Sequence, residues 1–141
     1  MNTLSEALKG KHEEMKIWME EMHSNPELSM HEQNTAKYIA NLVKSFGEYE
    51  LVEGVGKYGM VASLKVGKGN KVIGLRAEFD ALPIQEDNDL RYKSQIPGKS
   101  HLCGHDGHTT MMLGAAKYLA ETKNFNGTVR IFFHFCESKK F

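Results

Sequence analysis

Between Ser100 and His108 the chain reads Ser-His-Leu-Cys-Gly-His-Asp-Gly-His, and a helical pattern follows from Thr109 to Thr122. Three imidazoles, a thiol, a carboxylate and two glycines so close together suit neither a packed strand nor a helix interior. The stretch is a loop, and it forms the turning point of a strand–loop–helix unit. Cys103 and His105 offer a thiolate and an imidazole two residues apart, donor types that a transition metal takes. Gly104 between them allows the backbone to turn so that both face one point. Gly107 and the free N–H groups that open the helix suit an anionic ligand. Taken singly, Cys103 reads equally well as a small buried hydrophobe, and one histidine at a helix start as a cap. The density of donors is what argues for a metal. The paired Cys-x-x-Cys halves of a structural zinc finger are absent, so an open, water-bearing site fits better than a closed one.

Periodicity orders the rest of the chain. Leu4, Leu8, Met15, Trp18, Met19 and Met22 predict one helix from Thr3 to about Ser24, which Asn25-Pro26 ends. Ala36, Ile39, Ala40, Val43 and Phe46 share one face of a second helix, His31 to Phe46, closed by Gly47. Two strands, Tyr49–Val55 and Met60–Val66, come next. Between them, Gly54-Val55-Gly56-Lys57-Tyr58-Gly59 matches a dinucleotide fingerprint in form only: a strand follows it, not a helix, so it reads as a hairpin turn. Val72–Arg76 reads as a buried strand that delivers Glu78 and Asp80 to its C-terminal end, where α/β sheets place their chemistry. In an extended chain those two carboxylates project to one side; ordinary solvated loop acids are the competing reading. Residues 85–99 form a polar, irregular loop of a length that is usually functional or mobile. Met112, Leu113, Ala116, Leu119 and Ala120 make a core stripe on the helix after the donors, and Thr128–Phe135 is apolar enough for a central strand. The order α-α-β-β-β-loop-α-β predicts an α/β sandwich with a mixed sheet.

Composition narrows the function. Eighteen basic and 18 acidic residues cancel, so no phosphate backbone would be drawn to the surface and nucleic acid is excluded as a partner. The mean hydropathy of −0.47 and the lack of any run near 20 apolar residues exclude a membrane span. The N-terminus lacks the apolar core of a signal peptide. Two cysteines, Cys103 and Cys136, make no disulfide framework, which points to a reducing cytoplasm.

The segments Leu75-Arg76-Ala77-Glu78-Phe79-Asp80-Ala81-Leu82-Pro83-Ile84 and His101-Leu102-Cys103-Gly104-His105-Asp106-Gly107-His108 resemble the peptidase M20 amidohydrolases. The aminoacylase, hippurate hydrolase and indole-acetyl-amino-acid hydrolase branch is the nearest in kind, and His23-Ser24-Asn25-Pro26-Glu27-Leu28-Ser29 resembles that branch too. The resemblance implies a zinc-peptidase-like catalytic domain with two divalent metals per site, zinc or manganese, that cleaves the amide of an N-acylated amino acid. Carried over residue by residue, it implies Cys103 and His105 as metal ligands, Asp80 as the acid that supports the site, and Glu137 as the general base. It also implies a parent protein that is a homodimer or larger.

This chain departs from the family where Ser138 stands in place of a second, metal-ligating glutamate, and where His134-Phe135-Cys136 replaces Gln-Pro-Ala. The family continues with further histidine ligands and a small dimerisation domain. Residues 1–141 are therefore expected to be the N-terminal part of a catalytic domain, incomplete at the C-terminus and without the dimerisation domain, from a truncated or frameshifted reading frame. The rival expectation is a non-catalytic remnant with residual metal binding. A redox module built on Cys103 and Cys136 lacks the Cys-x-x-Cys spacing. With later elements missing, Ile131, Phe132, Phe133 and Phe135 are expected to lie exposed.

Overall fold

A computed structural model describes residues 4–135. Its elements are α1 (Leu4–Lys9), α2 (His12–Ser24), α3 (Gln33–Phe46), β1 (Glu50–Val55), β2 (Gly59–Val66), β3 (Val72–Glu78), α4 (His105–Thr122) and β4 (Gly127–His134). The expected order of helices and strands holds, with two differences at helix starts. The single helix expected over residues 3–24 is two, broken at Gly10-Lys11, because glycine carries the largest backbone entropy cost of any non-proline residue in a helix. The last helix begins at His105 and not at Thr109. Gly104 precedes it with a left-handed φ of 93°, which turns the chain straight into the first helical residue.

The four strands lie in the order β1-β2-β4-β3. β1 and β2 form the expected antiparallel hairpin, β2 pairs antiparallel with β4, and β3 pairs parallel with β4. The sheet is mixed and β4 is internal, as its apolar run predicts. β3 is not the buried strand that its apolar start suggests: it stands at the edge of the sheet, with Val72 and Ile73 exposed. The exposure expected along β4 is likewise confined to its outer face. Ile131 and Phe133 are fully buried, while Phe132, on the opposite side of the strand, is exposed.

That alternation follows from what covers the sheet. α3 packs against β1 and β2, and α4 packs against β3 and β4, with α2 laid on α4. Met60, Ala62, Ala77, Val129, Ile131 and Phe133 meet Ile39, Ala40, Val43, Leu113 and Ala116 between the layers. Removing each large side chain of this set from water contributes about 1.5–3 kcal/mol. The chain between β3 and α4 is not free. Ala81 donates its N–H to the Glu27 carbonyl at 2.8 Å, and Leu82 and Ser100 exchange backbone hydrogen bonds at 2.9 and 3.0 Å. These ties hold the residues after β3 beside the turn that precedes α4. No described helix is long and apolar enough to cross a membrane.

Candidate metal centre

β3 ends at Glu78, and α4 starts at His105, so a parallel edge strand and a helix N-terminus meet at one corner of the molecule. Thr109 joins them: it is wholly buried, and its hydroxyl donates to the Glu78 carbonyl at 2.7 Å. This bond satisfies a carbonyl at the strand end where the ladder stops.

Two histidines on the first turn of α4 face the two strand-end acids. His105 Nδ1 lies 2.9 Å from Asp80 Oδ1 and 3.1 Å from the Asp80 carbonyl. Both partners only accept, so Nδ1 carries the hydrogen and the lone pair belongs to Nε2. His108 Nδ1 lies 3.4 Å from Glu78 Oε2, and the two imidazole rings are 5.7 Å apart. One ligand atom each from Glu78, His105 and His108 falls within 4.8 Å of the others, the single group of this kind among the described residues. Donors around one small divalent ion stand about 3–4 Å apart at bond lengths near 2.1 Å, so modest side-chain rotation would close the set.

The charges suit a cation. Burial acts to raise the Glu78 carboxyl, but its own backbone amide, Arg76 and His108 outweigh that and hold it below the usual carboxylate range. Arg76 reaches it through a 2.9 Å ion pair and also donates to His134 Nε2. Asp80 is buried, with His105 against it. His101 is buried as well, and neither of its ring nitrogens has a hydrogen-bond partner. Burial pushes its pKa down to about 4, so the ring is neutral near pH 7.

Of the residues expected from the sequence, Asp80 and His105 come together. Cys103 is exposed and belongs to no donor group among the described residues. Glu137 lies outside the described residues, as do Cys136 and Ser138. In the sequence Glu78 stands out only as the neighbour of Asp80, and His108 only as one histidine of the donor-rich loop. The signal for His108 was present: His105 and His108 are three apart, hence on one helix face once the helix begins at His105. A cavity of about 400 Å³ between the end of α2 and the start of α3 is lined by none of these residues.

A profile of peptidase family M20/M25/M40 matches residues 74–140, which span the strand end, the donor loop and α4. Hippurate hydrolase of Campylobacter jejuni is 50% identical over 133 residues, covering 94% of this chain and 34% of the relative. N-acyl-L-amino acid amidohydrolase of Geobacillus stearothermophilus is 40% identical over 121 residues, covering 85% of this chain and 32% of the relative. The chain thus spans about a third of the length of the curated relatives it matches. Among solved structures, the Bacillus subtilis YXEP protein, a dinuclear metal-binding peptidase of the M20 family, superposes with a TM-score of 0.83 at 35% identity. That superposition covers 89% of this chain and 35% of the other. Sequence and fold resemble members of peptidase family M20/M25/M40 over nearly the whole length of the chain, and that family's profile matches its residues 74–140.

Proposed function

We propose that this chain supplies the cation-holding corner of a metal-dependent amidohydrolase that cleaves N-acylated amino acids, the chemistry named in its hippurate hydrolase and N-acyl-L-amino acid amidohydrolase relatives. The observation that supports it most is the convergence of Glu78, His105 and His108 beside a buried Asp80. Two imidazoles and a carboxylate are the donor set of many open zinc sites, so the residues present fit a divalent ion. When bound, such an ion supplies Lewis acidity to a carbonyl and to a neighbouring water.

The chain's own residues prepare that chemistry. Asp80 accepts from His105 Nδ1–H, fixes the tautomer and makes Nε2 the better donor. Arg76 keeps Glu78 ionised. Glu137 is the proton shuttle between water and leaving amine in this reading. Cys103, two residues before His105, is the thiolate donor for a second cation, zinc or manganese, in the same reading. Residues 1–141 then form the N-terminal part of a catalytic domain, and the dimerisation domain, the oligomeric parent and a cytoplasmic setting belong to the same proposal.

The test is a zinc and manganese titration of the chain, with hydrolysis of hippurate and N-acetyl amino acids measured in parallel. A cation bound by the chain and lost in His105→Ala supports the reading. Three converged donors serve one ion, so the 141-residue chain is expected to bind metal with little turnover. Equal cation affinity in the chain and in His105→Ala would overturn the proposal.

A further inference from the structure

One buried ionic cluster takes no part in the centre described above. His23, the penultimate residue of α2, is 8% exposed and has a carboxylate on each ring nitrogen. Nδ1 lies 2.7 Å from Asp106 Oδ2, and Nε2 lies 3.1 Å from Glu86 Oε1. Ionised carboxylates accept and do not donate, so both nitrogens carry hydrogen and the ring is an imidazolium. A cation between two anions in a nearly dry site makes strong hydrogen bonds, and loss of one partner there is costly. The other groups facing the ring are Tyr92, edge-on at 5.3 Å, and the neutral His101 ring at 6.3 Å. Burial acts to lower the His23 pKa, but Glu86 and Asp106 outweigh it and raise the ring above its usual value.

Each carboxylate belongs to a different piece of the chain. Asp106 is the second residue of α4, directly after His105, and its other oxygen accepts the Gly107 N–H at 2.9 Å. Glu86 lies in the 85–99 loop, and its other oxygen accepts the Ser94 N–H at 2.7 Å, which folds the loop on itself. Ser24 adds two bonds from the helix end, its hydroxyl to the Tyr92 carbonyl at 3.0 Å and its carbonyl from the Gln95 N–H at 2.9 Å. A long loop without secondary structure is thereby clamped to α2, and the clamp continues through one ring into the first turn of α4.

We propose that His23, held as an imidazolium, is a positioning residue that ties the 85–99 loop and the first turn of α4 to the end of α2, and so sets where His105 stands against the strand end. Its consequence for cation binding rests on the metal-centre reading; the tie itself does not.

The test combines ring nitrogen spectra of the ¹⁵N-labelled chain with hydrogen exchange and cobalt(II) titration of Glu86→Gln, Asp106→Asn and His23→Gln. At neutral pH the His23 ring is expected to show two N–H groups; a ring with one overturns the proposal. Glu86→Gln is expected to release exchange protection in residues 85–99 and spare 105–110. Asp106→Asn should do the reverse, and His23→Gln both. Cobalt affinity should fall roughly tenfold or more in Asp106→Asn and His23→Gln. Uniform loss of protection across the whole chain in all three variants would mean a structural part only, and would overturn the positioning role, as would unchanged exchange in His23→Gln. If His23→Gln does not fold, the two milder variants and the wild-type ring spectrum decide. A wild-type chain that binds no cobalt sinks the metal centre, and the tie is then judged on spectra and exchange alone.

Discussion

Asp80 Oδ1 stands 2.9 Å from His105 Nδ1, and the Asp80 carbonyl stands 3.1 Å from the same nitrogen. A buried acid just past a strand end therefore decides which nitrogen of a helix-borne ring keeps its lone pair. Asp80→Asn retains the shape and one acceptor but removes the charge that makes Nε2 a strong donor. Zinc affinity, read by calorimetry, is expected to fall about 10- to 100-fold with the fold intact by circular dichroism. Unchanged affinity would show that Asp80 does not act on the centre.

Thr109 carries the second contact between the same two elements, through its 2.7 Å bond to the Glu78 carbonyl. Thr109→Val keeps the volume and removes the hydroxyl from which the part-buried Glu78 carbonyl accepts. A loss of about 1–3 kcal/mol is expected in urea unfolding, with unchanged slope against denaturant.

Glu32, just before α3, is wholly buried, and neither carboxylate oxygen has a hydrogen-bond partner. Burial, with the charges of Asp80 and Glu27 nearby, pushes its carboxyl above the usual value of 4.5. A raised carboxyl favours the fold below pH 4.5 and loses that contribution as pH rises through the folded pKa. Glu32→Gln is thus expected to gain stability at pH 7. Chemical denaturation at pH 7 and pH 4 checks it, since the gain should shrink at the lower pH.

His23 titrates with the opposite charge but the same sign of linkage. Its folded pKa lies above 6.5, so its contribution is whole below pH 6.5 and disappears as pH rises through the raised value. Thermal unfolding of the wild-type chain is expected to weaken over that alkaline window. The profile of His23→Gln should be flatter there, and parallel profiles for the two would refute the linkage.

Much of the fold was legible from local patterns. The apolar stripe of α3 at Ala36, Ile39, Ala40 and Val43 is buried as its spacing predicts, and the glycine-rich turn at 54–59 does join two antiparallel strands. The helix break at Gly10 and the early start of α4 escaped, because one follows from a single glycine's helix propensity and the other from the left-handed φ of Gly104, which periodicity does not register. At the site, Asp80 and His105 were visible as donor types. Their pairing was not visible, and neither was the convergence of Glu78 and His108 with His105.

By itself the sequence determined the order of the elements, the mixed character of the sheet and the crowding of metal-type donors into one loop before a helix, since these follow from side-chain period, turn chemistry and composition. Only the tertiary structure decided which donors meet. Glu78 finds His108 across 30 residues and Asp80 finds His105 across 25, while His23 reaches Asp106 across 83 and Glu86 across 63. Such pairs are set by how α4 packs on β3 and α2, and by the left-handed turn at Gly104 that aims the first helical residues at the strand end. No period in the chain encodes a distance between segments that only packing brings together.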